Sequence, residues 1–192
     1  MAYSNRGLAR YESGDYEGAI ADFNKAIELN PEFALTYNKR GIVKCELEDY
    51  EGAISDFNQA IELDKENATP YNNRGIVKRN LGDYEGAIAD YDEAIKINPK
   101  SAVAYNNRGT AKRDIKDSKG AGIDYNKAIE LDPEFSPAYY NRGNNKAALG
   151  KYKEAIADYD KAIELDPKFS LAYYDRGNSK AAIGEHAEAI AN

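Results

Sequence analysis

The sequence predicts an all-α fold of stacked helix pairs, a solenoid, and three observations predict it. The pentad Tyr-x-x-Arg-Gly recurs at Tyr3, Tyr37, Tyr71, Tyr105, Tyr139 and Tyr173, each 34 residues after the last. Behind it comes a second half such as Asp83-Tyr84-Glu85-Gly86-Ala87-Ile88-Ala89-Asp90-Tyr91. Both halves carry apolar and small residues at helical spacing. A fixed period of this size means one small unit stacked on copies of itself, each burying its apolar face on its neighbours.

The period divides the 192 residues into one array of repeats, approximately 1–33, 34–67, 68–101, 102–135, 136–169 and a truncated 170–192. In the unit 102–135, Tyr105, Gly109 and Lys112 form one stripe of a first helix, and Ala121, Tyr125, Ala128 and Leu131 one stripe of a second. Gly14, Gly82, Gly150 and Gly184 mark the turn between halves, where a left-handed residue stops a helix. Asp15, Asp49, Asp83 and Asp117 follow as N-caps of the second helix. Pro31, Pro99, Pro133 and Pro167 end it, because the residue before Pro is pushed away from helix. The row Gly7, Gly41, Gly75, Gly109, Gly143 and Gly177 implies that a side chain there would clash, since a helix-interior Gly costs about 1 kcal/mol against Ala. Gly18, Gly52, Gly86 and Gly120 read as packing residues, and the Tyr row with Phe23, Phe57, Tyr91, Tyr125 and Tyr159 fills the space between units.

These residues carry a resemblance. The order aromatic, Gly, Gly-Asp-Tyr, Ala, aromatic, Ala, Asp-Pro at this period resembles the tetratricopeptide repeat, in wording similar to its bacterial and cyanobacterial branch. Five full repeats and a truncated sixth match; Tyr stands where the family often has Trp, and Arg where it often has Leu before the Gly. The resemblance implies a right-handed superhelix of antiparallel helix pairs whose first helices line a concave groove that binds partners.

Composition narrows the function. Hydrophobic residues are 42% and charged residues 31%, as in a soluble globular protein, and the net charge of −7 argues against a nucleic-acid surface. Cys45 is the only cysteine and reads as a buried filler; with His186 the only histidine, a zinc site of Cys/His type is out of reach. No apolar run approaches the ~20 residues that span a bilayer, so no membrane insertion is expected. The first repeat begins at the start of the chain without a signal peptide, which makes a cytoplasmic setting the default. No nucleophile stands beside a base, and no phosphate loop or metal cluster is present, so neither an enzyme nor a cofactor is expected.

Two rows read as structural. Arg6, Arg40, Arg74, Arg108 and Arg142 each stand sixteen residues before an Asp: Asp22, Asp56, Asp90, Asp124 and Asp158. An internal ion-pair ladder is the leading reading and a basic groove for acidic peptides the other; Arg176, with Asn192 at the matching place, is expected to lack its partner.

Other rows are candidates for binding. Asn38, Asn72, Asn106, Tyr140 and Tyr174 form one, and Asn5, Lys39, Asn73, Asn107, Asn141 and Asp175 the next. Amides both donate and accept, so they can hold the backbone of an extended peptide without reading its sequence; solvated Asn is the alternative. Asn5, Asn73, Asn107 and Asn141 resemble the asparagine ladder of the O-linked N-acetylglucosamine transferases, from which Lys39 and Asp175 depart. Leu8, Ile42 and Ile76 give an apolar beginning; Arg79 and Arg113, with Lys78 and Lys112, a basic middle; Asn144, Asn178, Tyr140 and Tyr174 a polar, aromatic end. The peptide-binding set is therefore Asn72, Asn73, Asn106, Asn107, Asn141, Asn144, Arg79, Arg113, Tyr140 and Tyr174. The chaperone-tail clamp for Hsp70 and Hsp90 is not matched: its places hold Asn38, Ile42, Asn73, Val103 and Asn107, and both cationic positions fail.

The expected function is a protein-interaction scaffold that takes an extended segment of a partner. Self-assembly is the alternative, because the sixth unit stops without a capping helix and should expose Ala182, Ile183 and Ile190. A third reading is a fragment serving a catalytic domain of a larger protein. Repeat four is irregular: Ser118 replaces the turn Tyr and Gly122-Ile123 replaces Ile-Ala, which reads as a soft joint at 116–123 or as tolerated drift.

Overall fold

A computed structural model describes residues 2–185; His186, Ile190 and Asn192 lie outside the described residues. The described residues form eleven α-helices and no strand. The chain divides into two compact units, Met1–Pro99 and Lys100–Asn192.

The first unit holds α1 (Ala2–Glu12), α2 (Tyr16–Leu29), α3 (Ala34–Glu46), α4 (Tyr50–Leu63), α5 (Ala68–Asn80) and α6 (Tyr84–Ile97). The second holds α7 (Ala102–Asp114), α8 (Ser118–Leu131), α9 (Ser136–Ala148), α10 (Tyr152–Leu165) and α11 (Ser170–Ala182). In each unit a first helix packs on the second helix of its own repeat, and that second helix packs on the next first helix. First helices also adjoin in succession, α1 to α3 to α5 in one unit and α7 to α9 to α11 in the other.

The turns follow local chemistry. Gly14, Gly82, Gly150 and Gly184 all have φ between 73° and 87°. Glu48 and Lys116 take the same left-handed conformation without being Gly, at φ 60° and 66°. At the next residue the carboxylates of Asp15, Asp49, Asp83 and Asp117 accept from the N–H of Gly18, Gly52, Gly86 and Gly120. This corrects the reading of those glycines as packing residues. A Cβ on Gly86 would stand 2.1 Å from the Asp83 carboxylate, so the Gly keeps the cap closed. In repeat five Lys151 and Glu154 replace the pair together, and α10 has no side-chain cap.

The second helices end at Leu29, Ile97, Leu131 and Leu165, one residue before each Asn-Pro or Asp-Pro; α4 ends the same way at Leu63 before Asp64-Lys65. The other Gly row acts by close approach. A Cβ on Gly41 or Gly75 would meet the ring of Phe57 or Tyr91 at 2.7 Å, and Gly143 repeats this with Tyr159. Phe23, Phe57, Tyr91, Tyr125 and Tyr159 are almost wholly buried, and Phe23 and Phe57 share clusters with Val43 and Val77 of the following repeat.

Candidate functional site

The Arg row is internal. Arg40 Nε donates to Asp56 Oδ2 at 2.8 Å and Nη2 to Oδ1 at 2.5 Å, a two-bond fork that recurs for Arg6, Arg74, Arg108 and Arg142. A second cation shares each carboxylate: Lys44 with Asp56 at 2.9 Å, and likewise Arg10, Lys78, Lys112 and Lys146. Lys78 and Lys112, expected to make the groove basic, are therefore spent on Asp90 and Asp124. Each guanidinium also lies over the Tyr three residues before it, 5.6 Å from the Tyr37 centroid for Arg40.

The guanidinium also reaches backward. Arg40 Nη1 donates to Asn24 Oδ1 at 2.7 Å, Arg74 to Asn58, and Arg142 to Asn126. Arg176 does the same with Asp160 at 2.6 Å; the forward place at which it was expected to lack an Asp partner, Asn192, lies outside the described residues. One Arg thus joins two repeats. The signal was present in the sequence as a polar residue sixteen positions before each of these Arg, and the forward pairing with Asp hid it.

The Asn rows bond to one another. Asn73 Nδ2 donates to Asn38 Oδ1 at 3.1 Å, and Asn141 Nδ2 to Asn106 Oδ1 at 2.9 Å. Tyr140 takes the same step with a phenol, its hydroxyl donating to Asp175 at 2.8 Å. Asn106 is buried, 6% exposed, with its side chain also toward Asn107; this corrects its place on a binding surface. Asn72, Asn73, Asn107, Arg79 and Arg113 are half-buried, and Tyr174 is 68% exposed.

Two grooves draw on Asn73, Arg113 and Asn144 of that set; Asn72, Asn107, Asn141, Arg79, Tyr140 and Tyr174 line neither. In the first unit a groove of about 340 Å³ is lined by Ile42, Cys45 and Glu46 of α3, Tyr50 and Phe57 of α4, and Asn73, Ile76, Val77 and Asn80 of α5. In the second unit a groove of about 620 Å³ is lined by Asn144, Ala147 and Ala148 of α9, Tyr152 and Tyr159 of α10, and Asp175, Asn178, Ser179 and Ala182 of α11. Each residue of the second set stands three 34-residue periods after its counterpart in the first. The repeat therefore builds one groove geometry, and substitution changes its chemistry. Ile42 becomes Asn144, Ile76 becomes Asn178, Val77 becomes Ser179 and Asn73 becomes Asp175. Arg113 joins the second groove with no counterpart in the first.

The polar groove has a fixed network. Tyr159 donates to Asn144 Oδ1 at 2.6 Å, and Asn144 also hydrogen-bonds Tyr140, whose ring lies 4.7 Å from that of Phe169. Burial raises both phenols above their ordinary pKa, and the Asp175 carboxylate adds to the effect, so they stay neutral donors. In the apolar groove, burial and then Glu46 and Asp49 push the Cys45 thiol up to about 11, so it is a neutral filler at neutral pH. At the far end of α11, Ala182 is exposed on the groove wall and Ile183 is half-buried. No described helix is long and apolar enough to cross a membrane.

Family profiles match along the chain. A profile described as "TPR repeat" matches residues 7–45, 43–80 and 77–112, and profiles described as "Tetratricopeptide repeat" match 102–135, 136–169 and 158–191. No curated protein matches in a sequence search. Among solved structures, the chain is similar to MamA, with 26% identity, a TM-score of 0.73 and coverage of 86% of this chain and 96% of that one. YrrB, described as a TPR protein with an unusual peptide-binding site, is also 26% identical, with TM-score 0.69 and coverage of 91% and 90%. PilW, a type IV pilus biogenesis factor, shares the fold at TM-score 0.89 and 20% identity, over 98% of this chain and 87% of that one.

Proposed function

The chain belongs to the tetratricopeptide repeat family, and from that premise we propose that it is a protein-interaction scaffold whose two grooves each hold an extended segment of a partner. The observation that carries this reading is the pair of equivalent grooves, because the same positions hold Ile, Ile and Val in one and Asn, Asn and Ser in the other. Interchangeable lining residues on a fixed scaffold are how one architecture selects different segments. The apolar groove takes a segment with aliphatic side chains against Ile42 and Ile76. The polar groove takes one that offers amide or hydroxyl groups to Asn144 and Asn178 and an acidic side chain to Arg113. YrrB's description as peptide-binding supports the reading by analogy. The lining favours binding over catalysis: beside amides, neutral phenols, the Ser179 hydroxyl and one guanidinium, its one carboxylate, Asp175, already accepts the Tyr140 hydroxyl.

Within the grooves the binding set is Asn73 in the first, and Arg113 and Asn144 in the second, with exposed Tyr174 as a flanking anchor. Asn72, Asn107, Asn141, Arg79 and Tyr140 then act as the frame that places them. A peptide array probed with the wild type and with Arg113→Ala tests this. Loss of acidic peptides in the variant, with aliphatic ones kept, is the expected result; an unchanged peptide set defeats the reading of the polar groove.

A further inference from the structure

The two halves of the chain differ in charge. Residues 1–99 hold eleven Lys and Arg against nineteen Asp and Glu, and residues 100–192 hold fifteen against fourteen. Part of the difference sits at the turns between paired helices. The row Glu17, Glu51 and Glu85 continues as Lys119 and Lys153, and the row of Asp caps ends in Lys151. The left-handed turn position, Gly in the regular repeats, holds Glu48 in the first half and Lys116 in the second. Strain of that kind collects at functional sites. The acidic turn also presents an apolar tip: Leu47 is 41% exposed between Glu46 and Glu48, with Asp49 and Glu51 exposed beyond it.

The basic turn opens on a cleft. In repeat one Tyr16 and Ile20 pack on the cluster of Ala19, Phe23 and Val43; in repeat two Tyr50 and Ile54 pack on Ala53, Phe57 and Val77. The same three places in the second unit hold Ser118, Gly122 and Asn145, and they leave a cleft of about 260 Å³ between α8 and α9. The Ile20-Ala21 of repeat one is Gly122-Ile123 here, a step that carries the aliphatic chain about 100° round the helix and into solvent. Ile123 and Leu149, both exposed, line the cleft with Lys119 and Lys151. Arg142 and Lys146 line it too, but Asp158 holds both, and Glu154 stands 4.0 Å from Lys146 and Lys151. Among the described residues Lys116 and Lys119 have no ion-pair partner, and neither have Glu48 and Glu51 of the acidic turn. The cleft shares no lining residue with the polar groove.

We propose that a second copy of this chain occupies the cleft: its turn 46–51 sets Leu47 against Ile123 and Leu149, with Glu48 and Glu51 facing Lys119 and Lys151. The turn and the cleft are different surfaces, so the contact is head-to-tail and runs from copy to copy into a ring or a chain. Its charges are exposed, so added salt weakens it. Sedimentation velocity over a concentration series tests this. The wild-type mass is expected to rise with concentration in low salt and to return to that of a monomer in about 1 M salt. Glu48→Lys with Glu51→Lys abolishes association, and so does Lys119→Glu with Lys151→Asp, which restores the residues of the regular repeats. An equal mixture of the two variants recovers it, because one brings an intact cleft and the other an intact turn; recovery excludes damage to the fold as the cause. Leu47→Ser keeps every charge and weakens association about fivefold. Association that either charge variant leaves unchanged, or a mixture that stays monomeric, overturns the proposal. A wild type that is monomeric throughout overturns it too; if acetyl-Glu-Leu-Glu-Asp-amide then shifts the methyl resonances of Ile123 and Leu149, the cleft belongs to an acidic segment of another protein.

Discussion

Arg40 forks Asp56 with two bonds of 2.8 and 2.5 Å while its third nitrogen reaches back 2.7 Å to Asn24 in the preceding repeat. The Asp56 side chain is 4% exposed and the Arg40 side chain 18%. Removing the cation leaves a buried carboxylate with Lys44 alone. Breaking a buried pair in this way costs about 3–5 kcal/mol, and the surviving Lys44 places Arg40→Ala at the lower end, about 3 kcal/mol. Urea unfolding of Arg40→Ala against the wild type measures it. Asn24→Ala removes only an exposed contact and shifts the midpoint by under about 1 kcal/mol.

The first rung of this ladder sets an acid limit. Hydrogen bonding from Arg6, against the opposing effect of burial and with help from Arg10, holds the Asp22 carboxyl below its ordinary range. Between the folded and ordinary values the unfolded chain binds more protons, so stability rises with pH there. The contribution is complete above the ordinary carboxylate pKa of about 4 and is lost as pH falls through the lower folded value. Asp22→Asn is less stable than the wild type at pH 7, and the gap narrows below pH 4. A gap that stays constant down to pH 2.5 in urea titrations contradicts this.

Two glycines in second-half and first-half helices answer oppositely to the same change. Gly75→Ala pushes a Cβ to 2.7 Å from the Tyr91 ring and destabilises by about 1–3 kcal/mol, more than the helix propensity it gains. Gly122→Ala meets nothing closer than 3.6 Å and stabilises by about 1 kcal/mol. Thermal melts of the two variants check both signs.

Lys116 sits at φ 66° where the regular turns place Gly. Lys116→Gly removes a left-handed penalty of about 1–2 kcal/mol and raises the unfolding midpoint. It also slows amide exchange over residues 116–123 if the irregular turn is what loosens that segment.

Much of the frame was legible because a period repeats its physics. The Gly row, the Asp caps and the Arg–Asp pairs each recur at one position, so a single steric or electrostatic reason covers every copy. The Asn rows were harder to read. Asn73 and Asn38 lie 35 residues apart, one more than the period, and that offset joins neighbouring rows across repeats. Spacing within one helix gives no sign of it, so residues that look free to hold a ligand are partly occupied by each other. The groove chemistry was visible residue by residue, from Ile42 and Ile76 to Asn144 and Asn178, but the equivalence of the two grooves needed the second-helix walls, Tyr50 with Phe57 and Tyr152 with Tyr159.

That occupation is measurable. Asn73→Ala strands the side-chain oxygen of Asn38, a residue 5% exposed, and costs about 1–3 kcal/mol. With Asn38→Ala as the second corner of a double-mutant cycle, a coupling of at least about 0.5 kcal/mol is expected. No coupling returns these amides to the role of solvent-facing ligand groups.

The central claim is that one groove geometry, filled with different residues, selects different segments. Asn144→Ile combined with Asn178→Ile gives the polar groove the two exposed aliphatic side chains that its counterpart carries in Ile42 and Ile76. Probed on one peptide array, the double variant is predicted to lose polar peptides, keep acidic ones held by Arg113, and gain aliphatic ones that resemble the ligands of the first unit. The same peptides bound with the same affinities by wild type and variant would contradict the account.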